Sequence, residues 1–170
     1  VNLDIVLWPH PVLLDGTDSV SEVDEDLRAV VGEMRRVLFE QRGVGLAAPQ
    51  VGIAKRLMIV CPSGEPGDDT VVVNPEIVER VGSEVGEEGC LSFPGIYGQV
   101  PRARALVVRY QDLDLRTHEM ELAGFVARIF QHELDHLNGE VFIDRMTPES
   151  REKIEGQLDE LRQQYAESTA

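Results

Sequence analysis

Two histidines four residues apart with an acid beside the first, His132-Glu133-Leu134-Asp135-His136, are the part of this sequence best equipped for chemistry. On a helix of 3.6 residues per turn their side chains stand about 40° apart around the axis, so both imidazoles reach one ion. Phe125 and Ile129 fall on the same face one and two turns earlier, which puts the histidines at the floor of an apolar cleft. A third donor, Cys90, stands well upstream in Glu88-Gly89-Cys90-Leu91-Ser92, where Gly89 lets the backbone pass close to another element or a ligand. Three protein ligands and a water make an open, catalytic site, whereas a structural zinc site closes all four positions with Cys or His. No fourth ligand is evident. His10 in Pro-His-Pro and His118 in Thr-His-Glu read as turn or loop residues, and Cys61, after Leu57-Met58-Ile59-Val60, reads as a small buried hydrophobe. The alternative, a Cys90 nucleophile paired with histidine, leaves the paired histidines and Glu133 without a clear purpose. Helical spacing alone does not choose Glu133 over Asp135 as proton carrier, because the two flank the ligand face on opposite sides.

The elements that must position these groups show in the hydrophobic periodicity. A helix is predicted over 122–138, with Leu122, Phe125, Ile129 and His132 on one side and Asn138-Gly139 as its stop. An earlier helix is predicted over 23–41, where Leu27, Val30, Val31, Met34 and Leu38 recur behind the capping pattern Ser21-Glu22-Val23-Asp24. A third, over 148–165, carries Ile154, Leu158, Leu161 and Tyr165 as a narrow apolar stripe. Short β-rich runs at 56–60, 70–73, 77–81 and 105–110 are punctuated by glycine and proline and suit antiparallel sheets, with a loop at 62–69.

With 170 residues and 42% hydrophobic side chains, one domain with a real core is expected over 1–170. A net charge of −15 with no basic stripe argues against direct nucleic-acid binding. The two cysteines lie in unlike settings and do not read as a disulfide framework, which points to a reducing compartment. No apolar stretch approaches the roughly 20 residues of a membrane span, and the first residues lack the basic start and apolar centre of a signal peptide. The expectation is a bacterial cytoplasmic protein, ahead of an organellar mature chain.

Three segments in this order, Gly43-Val44-Gly45-Leu46-Ala47-Ala48-Pro49-Gln50, Glu88-Gly89-Cys90-Leu91-Ser92 and Gln131-His132-Glu133-Leu134-Asp135-His136-Leu137-Asn138-Gly139, resemble the peptide deformylases. The likeness covers about residues 5–146, and Phe93–Tyr97 with Phe142–Met146 is similar to the branch found in many bacteria and plant organelles. The resemblance implies an α+β fold. Joined to the periodicity, this gives antiparallel β-sheets around a central metal-bearing helix, with an N-terminal helix and a C-terminal helix after the core. It also implies hydrolysis of the formyl group from N-formylmethionyl nascent peptides, with one divalent metal on Cys90, His132 and His136. Glu133 would transfer the proton, and the Gln50 side chain and Leu91 backbone would donate to the oxyanion. Asp135 is then left a supporting role, paired with Arg102. Val44, Gly45 and Gly89 would bracket the substrate backbone, and Phe125 and Ile129, with the stem of Arg128, would line the methionine pocket. The family implies Fe(2+) as the usual ion, while one thiolate and two imidazoles also accept Zn(2+), Ni(2+) or Co(2+). Tyr97 and Gly95 depart from polar or basic residues of some relatives, and Leu115 stands where a turn often carries glycine. Some bacterial relatives dock transiently on the ribosome through a basic C-terminal extension; the tail here is acidic, which leaves ribosome association open.

Overall fold

The computed structural model describes residues 2–170. Strands β2 (Leu57–Val60) and β3 (Thr70–Val81) contain the unbroken apolar runs Leu-Met-Ile-Val and Val-Val-Val, the pattern of a sheet covered on both faces. Because successive strand side chains point to opposite sides, Leu57, Ile59, Val71 and Val73 pack with Val31, Met34 and Leu38 of α1 (Glu25–Glu40). Met58, Val60 and Val72 pack instead with Ala127, Phe130, Leu134 and Leu137 of α2 (Phe125–Leu137). The sheet is completed by β1 (Gly45–Ala47), β6 (Ala105–Gln111) and β7 (Thr117–Ala123), all neighbours antiparallel in the order β1-β2-β3-β6-β7. A separate antiparallel hairpin joins β4 (Glu84–Cys90) to β5 (Phe93–Arg102). A third core, built on Trp8, Phe93, Ile96, Val100 and Phe142, is closed by Ile154, Leu158 and Leu161 of the C-terminal segment. The α+β class with antiparallel sheets around α2 is as the sequence predicts.

Several boundaries differ, each for a local reason. The cap of α1 is Asp24, whose carboxylate accepts the Leu27 N–H at 2.8 Å, so the helix starts later than the Ser21 pattern suggests. The helix predicted from residue 122 begins at Phe125: Leu122 belongs to β7, opposite Leu106, and Gly124 at φ +68 turns the chain. The two runs at 70–73 and 77–81 are one strand with a register irregularity at Asn74-Pro75, where Pro75 has no N–H for the ladder. Asn74, at φ +51, bonds Val20 N and O with its amide. The C-terminal helix breaks at the buried Ile154 into α3 (Pro148–Lys153) and α4 (Glu155–Ser168). Among the described residues no helix is long and apolar enough to cross a membrane.

Candidate active site

From Gln131 to Leu137 every residue of α2 is buried, so the polar side chains at 131–133, 135 and 136 must all find partners inside the protein. His132 Nδ1 lies 2.8 Å from Glu88 Oε1. Burial pushes the Glu88 carboxyl up, but bonds from Arg102 and His132 outweigh it and hold Glu88 at about 2. Glu88 is therefore an ionised acceptor that His132 Nδ1–H donates to, which leaves Nε2 as the nitrogen available to a metal. Arg102 grips Glu88 through two nitrogens at 2.8 and 2.9 Å and Asp135 through a third at 2.6 Å. Arg145 also reaches Asp135 at 2.6 Å, and Arg128 reaches Glu88 at 2.6 Å. The expected Asp135–Arg102 pair is thus present, inside a larger network.

The donors fit a divalent metal. Cys90 Sγ and one nitrogen each from His132 and His136 lie within 4.8 Å of one another, with Cys90 Sγ 3.3 Å from His136 Nε2. Ligands of a four-coordinate ion bonded at ordinary metal–S and metal–N lengths stand about 3.5 Å apart, so this spacing suits one ion. The set is one thiol and two imidazoles, with no fourth Cys or His beside it among the described residues. Burial, and then the charges of His132 and Arg102, keep His136 well below its ordinary value and so neutral. Burial also lowers His132, but Glu133, Cys90 and Glu88 more than offset it and raise the imidazole; a metal must displace that proton to bind.

Glu133 Oε1 is buried without a hydrogen-bond partner, and burial raises the carboxyl to about 7 despite the opposing charge of His132. A carboxyl without a partner, raised toward neutrality beside a candidate metal set, has the properties of a proton-transfer group. Room for it exists because position 45 is glycine: a Cβ there would stand 2.7 Å from Glu133 Oε2 and 2.8 Å from Ile129 Cγ2. Gln50, buried in the turn after β1, accepts the Ala47 N–H at 2.9 Å through Oε1 and aims Nε2 at Cys90 Sγ, 3.3 Å away. Asp135, by contrast, is fully engaged with the two arginines, which separates the roles that helical spacing left open.

All eleven residues predicted for the site meet here. Cys90, Gln50, Leu91, Val44, Gly45, Gly89, Phe125, Ile129, His132 and Glu133 line one cleft of about 520 Å³, with His136 just beneath its floor. Phe125 stands at the rim and is mostly exposed, so the deeper apolar wall falls to Ile129 and Val44. The guanidinium of Arg128 is tied to Glu88 and Val100 O, and the residue lines the same cleft. Gly89 packs under the Tyr97 ring, which a Cβ would approach to 2.5 Å. His10 and His118 lie away from the cleft and Cys61 is buried, as predicted, but His118 is a residue of strand β7 opposite Tyr110 and not of a turn or loop. Sequence reasoning gave Glu88, Ser92 and Arg145 no role. The signal for Glu88 was its spacing from Cys90: residues two apart on a strand share a face.

The Arg102 network makes a stability prediction. Arg102→Met leaves Glu88 and Asp135, both nearly buried, with fewer positive partners, and should cost about 3–5 kcal/mol. Urea unfolding of chelator-treated wild type and variant checks it; a difference under about 1 kcal/mol would show that Arg128 and Arg145 suffice.

Comparisons with known proteins agree with this geometry. The polypeptide deformylase family model matches residues 2–152. A peptide deformylase of Acidobacterium capsulatum is 44% identical over 152 residues, covering 88% of this chain and 89% of that protein. One from Rhodopirellula baltica is 41% identical over 167 residues, covering 96% of this chain and 82% of that protein. The crystal structure of a plant peptide deformylase superposes with a TM-score of 0.95 at 40% identity, covering 98% of this chain and 92% of that one. A Plasmodium falciparum peptide deformylase gives 0.95 at 38% identity, covering 98% and 99%.

Proposed function

The chain belongs to the polypeptide deformylase family, and from that premise we propose how its residues carry out hydrolysis of the formyl group from the amino terminus of new polypeptides. The single observation that carries the reading is the convergence of Cys90, His132 and His136 beside the unpartnered Glu133 carboxyl. A divalent ion on those three residues would supply Lewis acidity, making water more acidic and a carbonyl carbon more electrophilic. Ferrous iron is the physiological ion in this reading, with zinc, nickel and cobalt as accepted substitutes.

The remaining work belongs to the chain. Strand β1 is the edge of its sheet, unpaired on the side away from β2, and offers backbone groups around Val44 and Gly45 to an extended peptide facing Gly89. The methionine side chain fills the apolar part of the cleft against Ile129, Val44 and Phe125, which excludes water from the reacting end. Glu133 accepts a proton from the attacking water at its carboxylate and delivers it to the departing amine nitrogen. The Gln50 amide and the Leu91 N–H donate to the formyl oxygen as negative charge develops there. Residues 1–170 act in this reading as one catalytic domain in the cytoplasm, where formylated chains emerge.

Formate release from formyl-Met-Ala, compared with acetate release from acetyl-Met-Ala, tests the reaction at measured metal content. Selective loss of formate is expected; equal cleavage of both would indicate a broader metal-dependent amidase. Cys90→Ser should lose metal faster on dialysis against chelator, since a serine hydroxyl is a harder, less acidic ligand than a thiol. Undiminished retention would remove Cys90 from the ligand set.

A further inference from the structure

Ser92 is fully buried, and its hydroxyl has no task in the roles assigned above. It accepts from Gln50 Nε2 at 3.4 Å, and the other acceptor of that nitrogen is Cys90 Sγ at 3.3 Å. The amide orientation is fixed by the Ala47 N–H, which Oε1 accepts at 2.9 Å and which a reversed amide would confront with its own hydrogens. One amide hydrogen therefore goes to Ser92 Oγ and the other to the sulfur. The spacing is also fixed by the backbone: Ser92 O accepts the Trp8 N–H at 3.0 Å and Gln50 O accepts the Val6 N–H at 2.7 Å. One N-terminal segment thus ties the two loops together.

We propose that Ser92 is a positioning residue for deformylation: its hydroxyl occupies one hydrogen of the Gln50 amide and so aims the other into the cleft. That second hydrogen is shared between the Cys90 sulfur and the formyl oxygen as charge builds on it. The inference rests on the reading that Gln50 donates to that oxygen. A donor already aimed needs no reorganisation during the reaction, whereas an amide released by Ser92 is held only through its oxygen by the Ala47 N–H and can pivot its nitrogen about that bond. Substrate affinity is set along β1 and in the methionine pocket, so the effect falls on kcat and not on KM.

A double-mutant cycle of Ser92→Ala and Gln50→Ala, read as formate release with metal content and thermal unfolding for each variant, tests this. Gln50→Ala should lower kcat roughly 10²-fold or more, and Ser92→Ala about tenfold with KM and metal content unchanged. The double variant should be no slower than Gln50→Ala, because the hydroxyl acts only through the amide. An unchanged kcat in Ser92→Ala, or a double variant slowed by the product of the two effects, overturns the role of Ser92 alone. An unchanged kcat in Gln50→Ala removes the oxyanion donor itself and the inference with it. Should Ser92→Ala not accumulate in folded form, Ser92→Cys, close in size and a much weaker acceptor, takes its place in the cycle.

Discussion

Replacing Glu133 with glutamine should lower kcat by about 10²-fold or more while the protein keeps its metal, because the amide fills the same space but can neither accept nor deliver the proton. Position 133 allows such a clean substitution. The carboxyl is buried, Oε1 has no partner to lose, and the candidate metal donors are other residues, Cys90, His132 and His136. Glutamine also keeps the approach of Gly45 unobstructed, since the atoms that a Cβ at residue 45 would strike are those of the residue 133 side-chain end and Ile129. Alanine at 133 would instead open a void and admit water, so its rate would mix two effects. The measurement is formate release per bound metal, with KM determined separately. Near-normal turnover in a fully metallated Glu133→Gln variant would move the proton to another group. The loss should appear in kcat, because in the proposed mechanism Glu133 acts on protons that move only during reaction and holds no part of the bound peptide.

The metal-bearing helix was legible because everything needed to see it is local: two imidazoles at i and i+4, the acid between them, and an apolar face one and two turns earlier. Cys90 was legible by residue type and Gln50 only by the resemblance, since nothing local says that a turn after residue 47 and the end of a strand come within hydrogen-bonding distance. The hairpin itself was missed. Glu-Val-Gly-Glu-Glu-Gly-Cys has two glycines and three glutamates, a poor strand by propensity, and it is a strand because β5 pairs with it along its length. Strand β7 was missed for a related reason. Thr-His-Glu-Met-Glu-Leu-Ala lies on the sheet edge almost wholly exposed, so no buried alternation marks it, and its one apolar anchor, Leu122, matched the helical spacing of the residues that follow. The carboxylate–arginine network joins β4, β5, α2 and the turn after it. Of its members only Asp135 and Arg102 could be paired in advance, because long-range ion pairs leave no periodic trace.

Deleting the residues after Pro148 should destabilise the protein by on the order of 3–5 kcal/mol without changing its co-sedimentation with ribosomes. Ile154, Leu158 and Leu161 are buried in the core that also holds Trp8, Phe93 and Phe142, and each aliphatic side chain contributes roughly 1.5–3 kcal/mol of burial, offset in part by the entropy of ordering the helix. The loss would reach beyond the tail. Trp8 stacks on Phe93 at 5.4 Å and lies under the Arg162 guanidinium at 5.1 Å, Phe93 meets Phe142 edge-on at 5.1 Å, and Phe142 touches the His132 ring at 5.5 Å. Removing α4 therefore uncovers one end of an aromatic chain whose other end packs on His132, a candidate metal donor. Trp8 is the only tryptophan, so its emission should shift to the red on truncation while reporting this core alone. Leu158→Ala gives an independent check within the full chain, at about 2–5 kcal/mol for a wholly buried leucine. The ribosome half of the prediction follows from charge. Residues 149–170 hold six acidic side chains against three basic ones, which disfavours contact with RNA phosphate. Paired thermal unfolding and ribosome co-sedimentation of full-length and truncated protein at one salt concentration separate the two. Unchanged stability together with tail-dependent sedimentation would make α4 a docking element; the burial of its apolar stripe against Trp8 and Phe93 argues for the opposite result.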